Sequence, residues 1–124
     1  MSLLLDSSVL IDVQRRYKPA LAWLARQDQT ALFVSSATAF ELYAGADRPG
    51  AAEAVRQMLD AVSIVVVDAV IAEKGASIFR RYEASHGADE FDAIIAATAL
   101  VARLPLVTRN VRHFPAVKNV RKPY

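Results

Sequence analysis

The chain has 124 residues, 54% hydrophobic and 23% charged, a make-up that fits one folded domain over 1–124 and excludes a disordered chain. It has no cysteine, which excludes disulfides, thiolate-held zinc and thiol catalysis and fits a reducing cytoplasm. Net charge is +2, but no Asp or Glu follows Asp92, whereas Arg103, Arg109, Arg112, Lys118, Arg121 and Lys122 do; this basic end suits nucleic acid, an acidic protein, or a solvated face.

Residues 2–6 (SLLLD) predict a short strand buried on both faces, because the apolar run is continuous. Ser7 or Ser8 then caps a helix over Val9 to Tyr17, and Pro19 opens a second short helix, ALAWLARQ. ALFVS at 31–35 predicts the next strand. SSATAFELYAGA follows as a helix capped by Ser35 or Ser36, with Gly45 near its end.

Pro49 and Gly50 interrupt the chain before the helix AAEAVRQMLDAV. SIVVV at 63–67 is the most β-branched run and predicts a parallel-type strand. Asp68 ends it and caps a helix running to about Ser85, which Gly87 closes. DEFDAIIAATALVARL starts another helix, PLVT at 105–108 forms a fourth strand, and VKNVRKPY supplies a fifth at the edge.

Strands that alternate with helices and read apolar throughout predict an α/β fold: a central, mostly parallel sheet of four or five strands flanked by helices. Ligands of such sheets bind beyond the carboxyl ends of the strands, where Asp6, Asp68 and Thr108 fall. No apolar run reaches the roughly 18 residues that span a bilayer. The short N-terminal apolar segment lacks a basic start and runs into an acid, so neither a signal peptide nor a membrane association is expected.

Three acids stand in apolar company. Asp6 suits either a functional group or a helix N-cap, although Ser7 and Ser8 could cap equally well. Glu41 shares a helix face with Ala37, Thr38, Ala44 and Gly45, between Phe40 and Leu42. Buried there, it would need a partner or a metal; on the polar edge of the helix it would need neither. Asp92 precedes ten residues without a charge, in a helix that reads as buried all round. Attraction of acids to a helix N-terminus explains Asp89 or Glu90 better than Asp92.

No GxSxG elbow or phosphate loop occurs, and the two histidines, His86 and His113, lie in polar or basic sequence. Converging carboxylates without histidine or cysteine suit a hard ion, Mg²⁺ or Mn²⁺. With the basic end, such an ion points to hydrolysis of phosphodiesters.

LLLDSSVLIDV, SSATAFELYAGA, DEFDAIIAATALVARLPLVTRN and RHFPAV together resemble the successive motifs of the PIN-domain ribonucleases, and more narrowly the VapC toxins of bacterial VapBC toxin–antitoxin pairs. The resemblance spans nearly the whole chain. It implies a PIN-like three-layer fold, metal-dependent cleavage of RNA, homodimers, and neutralisation by a VapB-like antitoxin whose C-terminal segment covers the site. Asp6, Glu41 and Asp92 match the family's metal-binding acids, Asp89 an accessory acid, and Thr108 the small hydroxyl residue ending the fourth strand.

One departure concerns the fourth acid that PIN domains often carry after that strand. Here the sequence is TRNVRHF, with Asn110 or His113 in that place. The resemblance then leaves Asn110 to orient water or contact metal, and Arg109 and Arg112 to hold RNA phosphate. A catalytically inactive PIN-like module that only binds RNA or protein is the alternative, favoured by the missing acid. Three clustered carboxylates with no ion would repel one another, which argues against it. A haloacid-dehalogenase-type phosphatase would need an acid where Ser8 stands.

Overall fold

The computed structural model describes the backbone of residues 1–124 and every side chain except those of Ala84 and His86. Five strands, β1 (Leu3–Leu5), β2 (Leu32–Ser35), β3 (Ser63–Val65), β4 (Leu106–Val107) and β5 (Val120–Arg121), form one sheet in the order β3-β2-β1-β4-β5. Every pairing is parallel, with Leu3 opposite Leu32, Leu4 opposite Leu106, and Val107 opposite Arg121. Six helices connect them: α1 (Ser7–Gln14), α2 (Lys18–Ala25), α3 (Ser36–Ala44), α4 (Ala51–Asp60), α5 (Ala69–His86) and α6 (Glu90–Ala102).

The period-2 alternation of strand side chains divides the core into two layers. Leu3 and Leu5 of β1 pack on one face with Val9, Trp23, Leu42 and Val55, from α1 to α4. Leu4 points the other way, into Ile71 and Ile78 of α5, the alanines of α6, and Phe114. This explains why β1 reads as an unbroken apolar run: it is the middle strand and both its faces are covered. The α/β, three-layer arrangement expected from the sequence is the one observed.

Helix α6 meets α5 closely because its inward face is mostly alanine and α5 offers Gly75 at the contact. A Cβ on Gly75 would stand 3.4 Å from the Ile94 Cα. Gly87 ends α5 in the left-handed region, φ +65°, where glycine has no steric penalty.

Two local expectations are corrected. SIVVV contributes only Ser63–Val65 to the ladder and forms an edge, so Ile64 is 44% exposed and Val66 beyond it 69%. β-branching favours a strand but does not determine its position in a sheet. Ser7 and Ser8 do not cap α1. They lie within its first turn, and their hydroxyls turn back onto Asp6, which holds the N-cap position without making a side-chain cap bond. Elsewhere the expected caps form: Ser35 Oγ accepts from the Ala37 N–H and Asp68 Oδ1 from the Ile71 N–H.

Candidate active site

The central strands β1 and β4 end side by side, and their last positions begin the site. Asp6 follows β1 and is buried; its Oδ2 accepts from the Ser8 and Thr108 hydroxyls, each at 2.7 Å. Thr108, fully buried after β4, also accepts from the Asn110 N–H at 3.0 Å, while Ser8 Oγ accepts from the Arg109 N–H at 3.2 Å. Two hydroxyls and two backbone amides therefore fix one oxygen of Asp6. Its Oδ1 has only a 3.4 Å contact from Ser7.

Glu41 enters from the second turn of α3. It is half-buried, and its Oε1 is enclosed without a hydrogen-bond partner. Burial raises its pKa to about 7, and the negative charges of Asp6, Asp89 and Asp92 push the same way against a nearby Ser7 hydroxyl. Asp92 enters from the first turn of α6. Burial raises its pKa to about 6, opposed by a bond from the Asp89 N–H and by His113, and assisted by the charges of Asp89 and Asp6. Asp6, Glu41, Asp89 and Asp92 thus come from three separate segments and lie within each other's electrostatic reach.

The cap expectation at α6 needs correction. Asp89 is the N-cap, but Asp92 shares the work: Asp89 Oδ1 accepts from the Asp92 N–H at 2.8 Å, and Asp92 Oδ2 accepts from the Asp89 N–H at 3.2 Å. Asp92 belongs to the first turn and serves the helix end and the acid group together. His113 Nδ1 lies 3.5 Å from its Oδ2, a neighbour that local sequence does not reveal. Phe40 and Phe91, each one residue before a site acid, stack at 5.6 Å between ring centroids.

The basic residues divide differently. Arg109 donates from Nη1 to Asp12 Oδ2 at 2.8 Å, with its guanidinium beside the rings of Tyr17 and Tyr124. Asp12 is buried, and the same oxygen accepts from the Tyr124 hydroxyl at 2.7 Å. Sequence reasoning missed Asp12, although it falls three and four residues after Val9 and Ser8, on the inward side of α1. Arg112 is exposed in a 3₁₀ turn over Val111–His113. Asn110 is also exposed and lines a cleft with Arg109, not a contact with the acids.

A groove of about 710 Å³ runs from Glu41 past Leu42 and Gly45 to Val55 and Met58 of α4, with Ile11 and Gln14 opposite. Glu41 is the one acid lining this groove, within electrostatic reach of Asp6 and Asp92, and carboxylate oxygens suit a hard divalent ion. The unpartnered Glu41 Oε1 and the little-used Asp6 Oδ1 are available to such an ion. Among the described residues no three acidic or imidazole groups are close enough together to share an ion.

The chain is similar to known proteins along nearly its whole length. Ribonuclease VapC19 of Mycobacterium tuberculosis is 37% identical over 98% of this chain and 98% of its own length. Ribonuclease VapC10 of the same organism is 36% identical, over 98% of this chain and 92% of its own. In three dimensions a toxin–antitoxin complex from Klebsiella pneumoniae contains a chain of the same fold, with TM-score 0.83, 29% identity, and 99% and 98% of the two chains covered. The PIN domain family matches residues 3–120, and the chain belongs to that family.

Proposed function

We propose that this chain, as a single PIN domain over residues 1–124, is a divalent-metal-dependent endoribonuclease and the toxin of a toxin–antitoxin pair. The observation that supports the reading is that Asp6, Glu41 and Asp92 lie within electrostatic reach of one another, with the pKa of Glu41 raised to about 7 and that of Asp92 to about 6 by burial and neighbouring charge. Like charges held together in a half-buried groove favour a bound cation. Similarity to proteins named as ribonucleases over nearly the full length supports the substrate class.

Asp6, Glu41 and Asp92 would hold Mg²⁺ or Mn²⁺. Asp89 and Thr108 would assist, Thr108 through its 2.7 Å bond to Asp6. Asn110 would have an accessory place through its N–H bond to Thr108. When bound, such an ion lowers the pKa of water and stabilises charge on the leaving oxygen. The chain's own part is orientation: Ser8 and Thr108 keep Asp6 Oδ2 in one direction. Glu41, whose pKa is raised to about 7 without an ion, would give up its proton on binding one, so ion uptake should be pH-dependent. Arg109 and Arg112 would contact RNA phosphates and set its position without reading sequence.

The partner in this reading is a VapB-like antitoxin. Its C-terminal segment would lie in the apolar groove ending at Glu41, and a basic side chain on it would compete for the acids. The Klebsiella neighbour is a toxin–antitoxin complex, which supports a hetero-oligomer; a homodimer within it is expected. No helix among the described residues is long and apolar enough to cross a membrane, and action on cytoplasmic RNA is part of the proposal.

The test is cleavage of RNA by the purified chain with Mg²⁺ or Mn²⁺, with EDTA and with Asp92→Asn. Cleavage that requires the ion and is lost in the variant is expected. An Asp92→Asn protein that cleaves with unchanged metal dependence would sink the assignment. Calorimetric titration with Mn²⁺ separates the binding-only alternative, which predicts no uptake at millimolar ion.

A further inference from the structure

We propose that a cleft beside the acid cluster, walled by Ser8, Arg15, Arg109, Asn110 and Lys122, is a phosphate subsite for single-stranded RNA. It holds a phosphate flanking the one that is cleaved. The inference rests on the ribonuclease reading and extends it: Lys122, so far only part of a basic end, is joined with Arg15 and Asn110 in one defined phosphate site.

The cleft measures about 360 Å³, enough for a phosphate and sugar but not for a duplex. It adjoins the acids through a shared wall, since Ser8 lines it and donates to Asp6 at 2.7 Å. Three cations face one carboxylate there, because Asp12 is the only acid among the lining residues. Asp12 engages Arg109 at 2.8 Å and Arg15 at 3.4 Å, and Lys122 has no carboxylate partner among the described residues. The excess is positive, whereas the neighbouring group of Asp6, Glu41, Asp89 and Asp92 is negative.

The cations differ in how firmly they are held. Arg109 is fixed by Asp12 and by tyrosine rings 5.3 and 5.7 Å from its guanidinium carbon, leaving it as a rigid floor. Arg15 and Lys122 are exposed at the rim, Arg15 held only by a 3.4 Å contact to Asp12 and Lys122 by no carboxylate among the described residues. A positive channel that follows the backbone is the usual device for single strands. Asn110 completes the wall with an uncharged amide able to donate to a phosphate oxygen. An acid in its place would repel the phosphate, which gives a physical reason for an amide where PIN domains often carry an acid.

The full chain with Lys122→Ala, Arg15→Ala, Asn110→Asp and the control Lys122→Arg tests this. Binding of a fluorescein-labelled single-stranded RNA oligonucleotide is followed by anisotropy in EDTA across a KCl series, and cleavage is measured in parallel in Mn²⁺. Loss of either cation should weaken binding about five- to tenfold for any sequence and lower the log–log salt slope by about 0.7. Asn110→Asp should weaken it similarly, and Lys122→Arg should restore it.

Unchanged affinity and slope in Lys122→Ala and Arg15→Ala, as expected if the cleft takes an acidic protein segment instead, would overturn the subsite. So would an Asn110→Asp protein that needs less Mn²⁺ for half-maximal cleavage, since residue 110 would then be a ligand. Absence of cleavage in every condition, with binding still dependent on Lys122 and Asn110, would overturn the ribonuclease reading and leave the subsite supported.

Discussion

Asp6 and Asp12 stand six residues apart, at the two ends of α1, and both are only 3% exposed. Their surroundings are opposite. Asp12 receives a guanidinium at 2.8 Å and a phenol at 2.7 Å, so its charge is answered within the chain. Asp6 receives two hydroxyls on one oxygen and faces Glu41, Asp89 and Asp92. A buried acid with its own counter-charge is part of the architecture. A buried acid among other acids needs a cation from outside.

The largest difference between the two should come from neutralising each in turn. Asp6→Asn is expected to lower RNA cleavage by roughly two orders of magnitude, because an ion ligand is lost. Its metal-free melting temperature should not fall, since a repelling charge goes while the hydroxyl bonds to the amide oxygen remain. A cleavage rate within a few-fold of the parent would remove Asp6 from the chemistry.

Asp12→Ala should do the reverse, costing about 2 kcal/mol of stability in urea unfolding by stranding the Arg109 and Tyr124 donors. Its cleavage, measured well below the melting temperature, should drop far less than that of Asp6→Asn. Equal losses of activity would show that the two acids are one unit.

Next in size is a pH effect confined to the acid group. Glu41 and Asp92 have native pKa values raised to about 7 and about 6, above the values of 4.5 and 3.8 for the free groups. The folded state therefore holds more protons than the unfolded one between about pH 4 and 7, and stability falls as pH rises through that window. The metal-free protein should melt several degrees lower at pH 7.5 than at pH 5. Glu41→Gln should flatten the slope, and millimolar Mn²⁺ should reverse it at pH 7.5. A melting temperature indifferent to both would mean that the acids do not interact.

The smallest effect is expected at Asp68, a third acid at a strand end. Its side chain caps α5 through the Ile71 N–H at 2.9 Å and stands apart from the site acids. Asp68→Ala should cost about 1 kcal/mol in unfolding and leave cleavage in Mn²⁺ at the parental rate.

Much of the site was legible because its residues interrupt apolar patterns. Asp6 ends an unbroken run, and Asp92 opens the least polar helix. Glu41 was legible only as an acid among small residues, and its unpartnered Oε1 depends on how α3 meets the end of the sheet. Asp12 gave a weaker signal, since its partners lie 97 and 112 residues away in sequence. Arg109 looked like a free cation for the same reason. SIVVV read correctly as a parallel strand but too long, because β-branching reports backbone preference, whereas its edge position and its end at Val65 follow from pairing with β2 alone.

The sequence by itself determined the α/β class and the strand-and-helix alternation and singled out three candidate acids, because apolar periodicity and its interruption by a charge are local in cause. Tertiary structure alone decided which acids are answered and which are not. It set Arg109 onto Asp12, turned Ser8 and Thr108 onto Asp6, brought His113 to Asp92, and placed Asn110 among cations. Those outcomes depend on charges and donors from distant segments meeting across a few ångströms, where Coulomb and hydrogen-bond energies act on distance in space and not on separation along the chain.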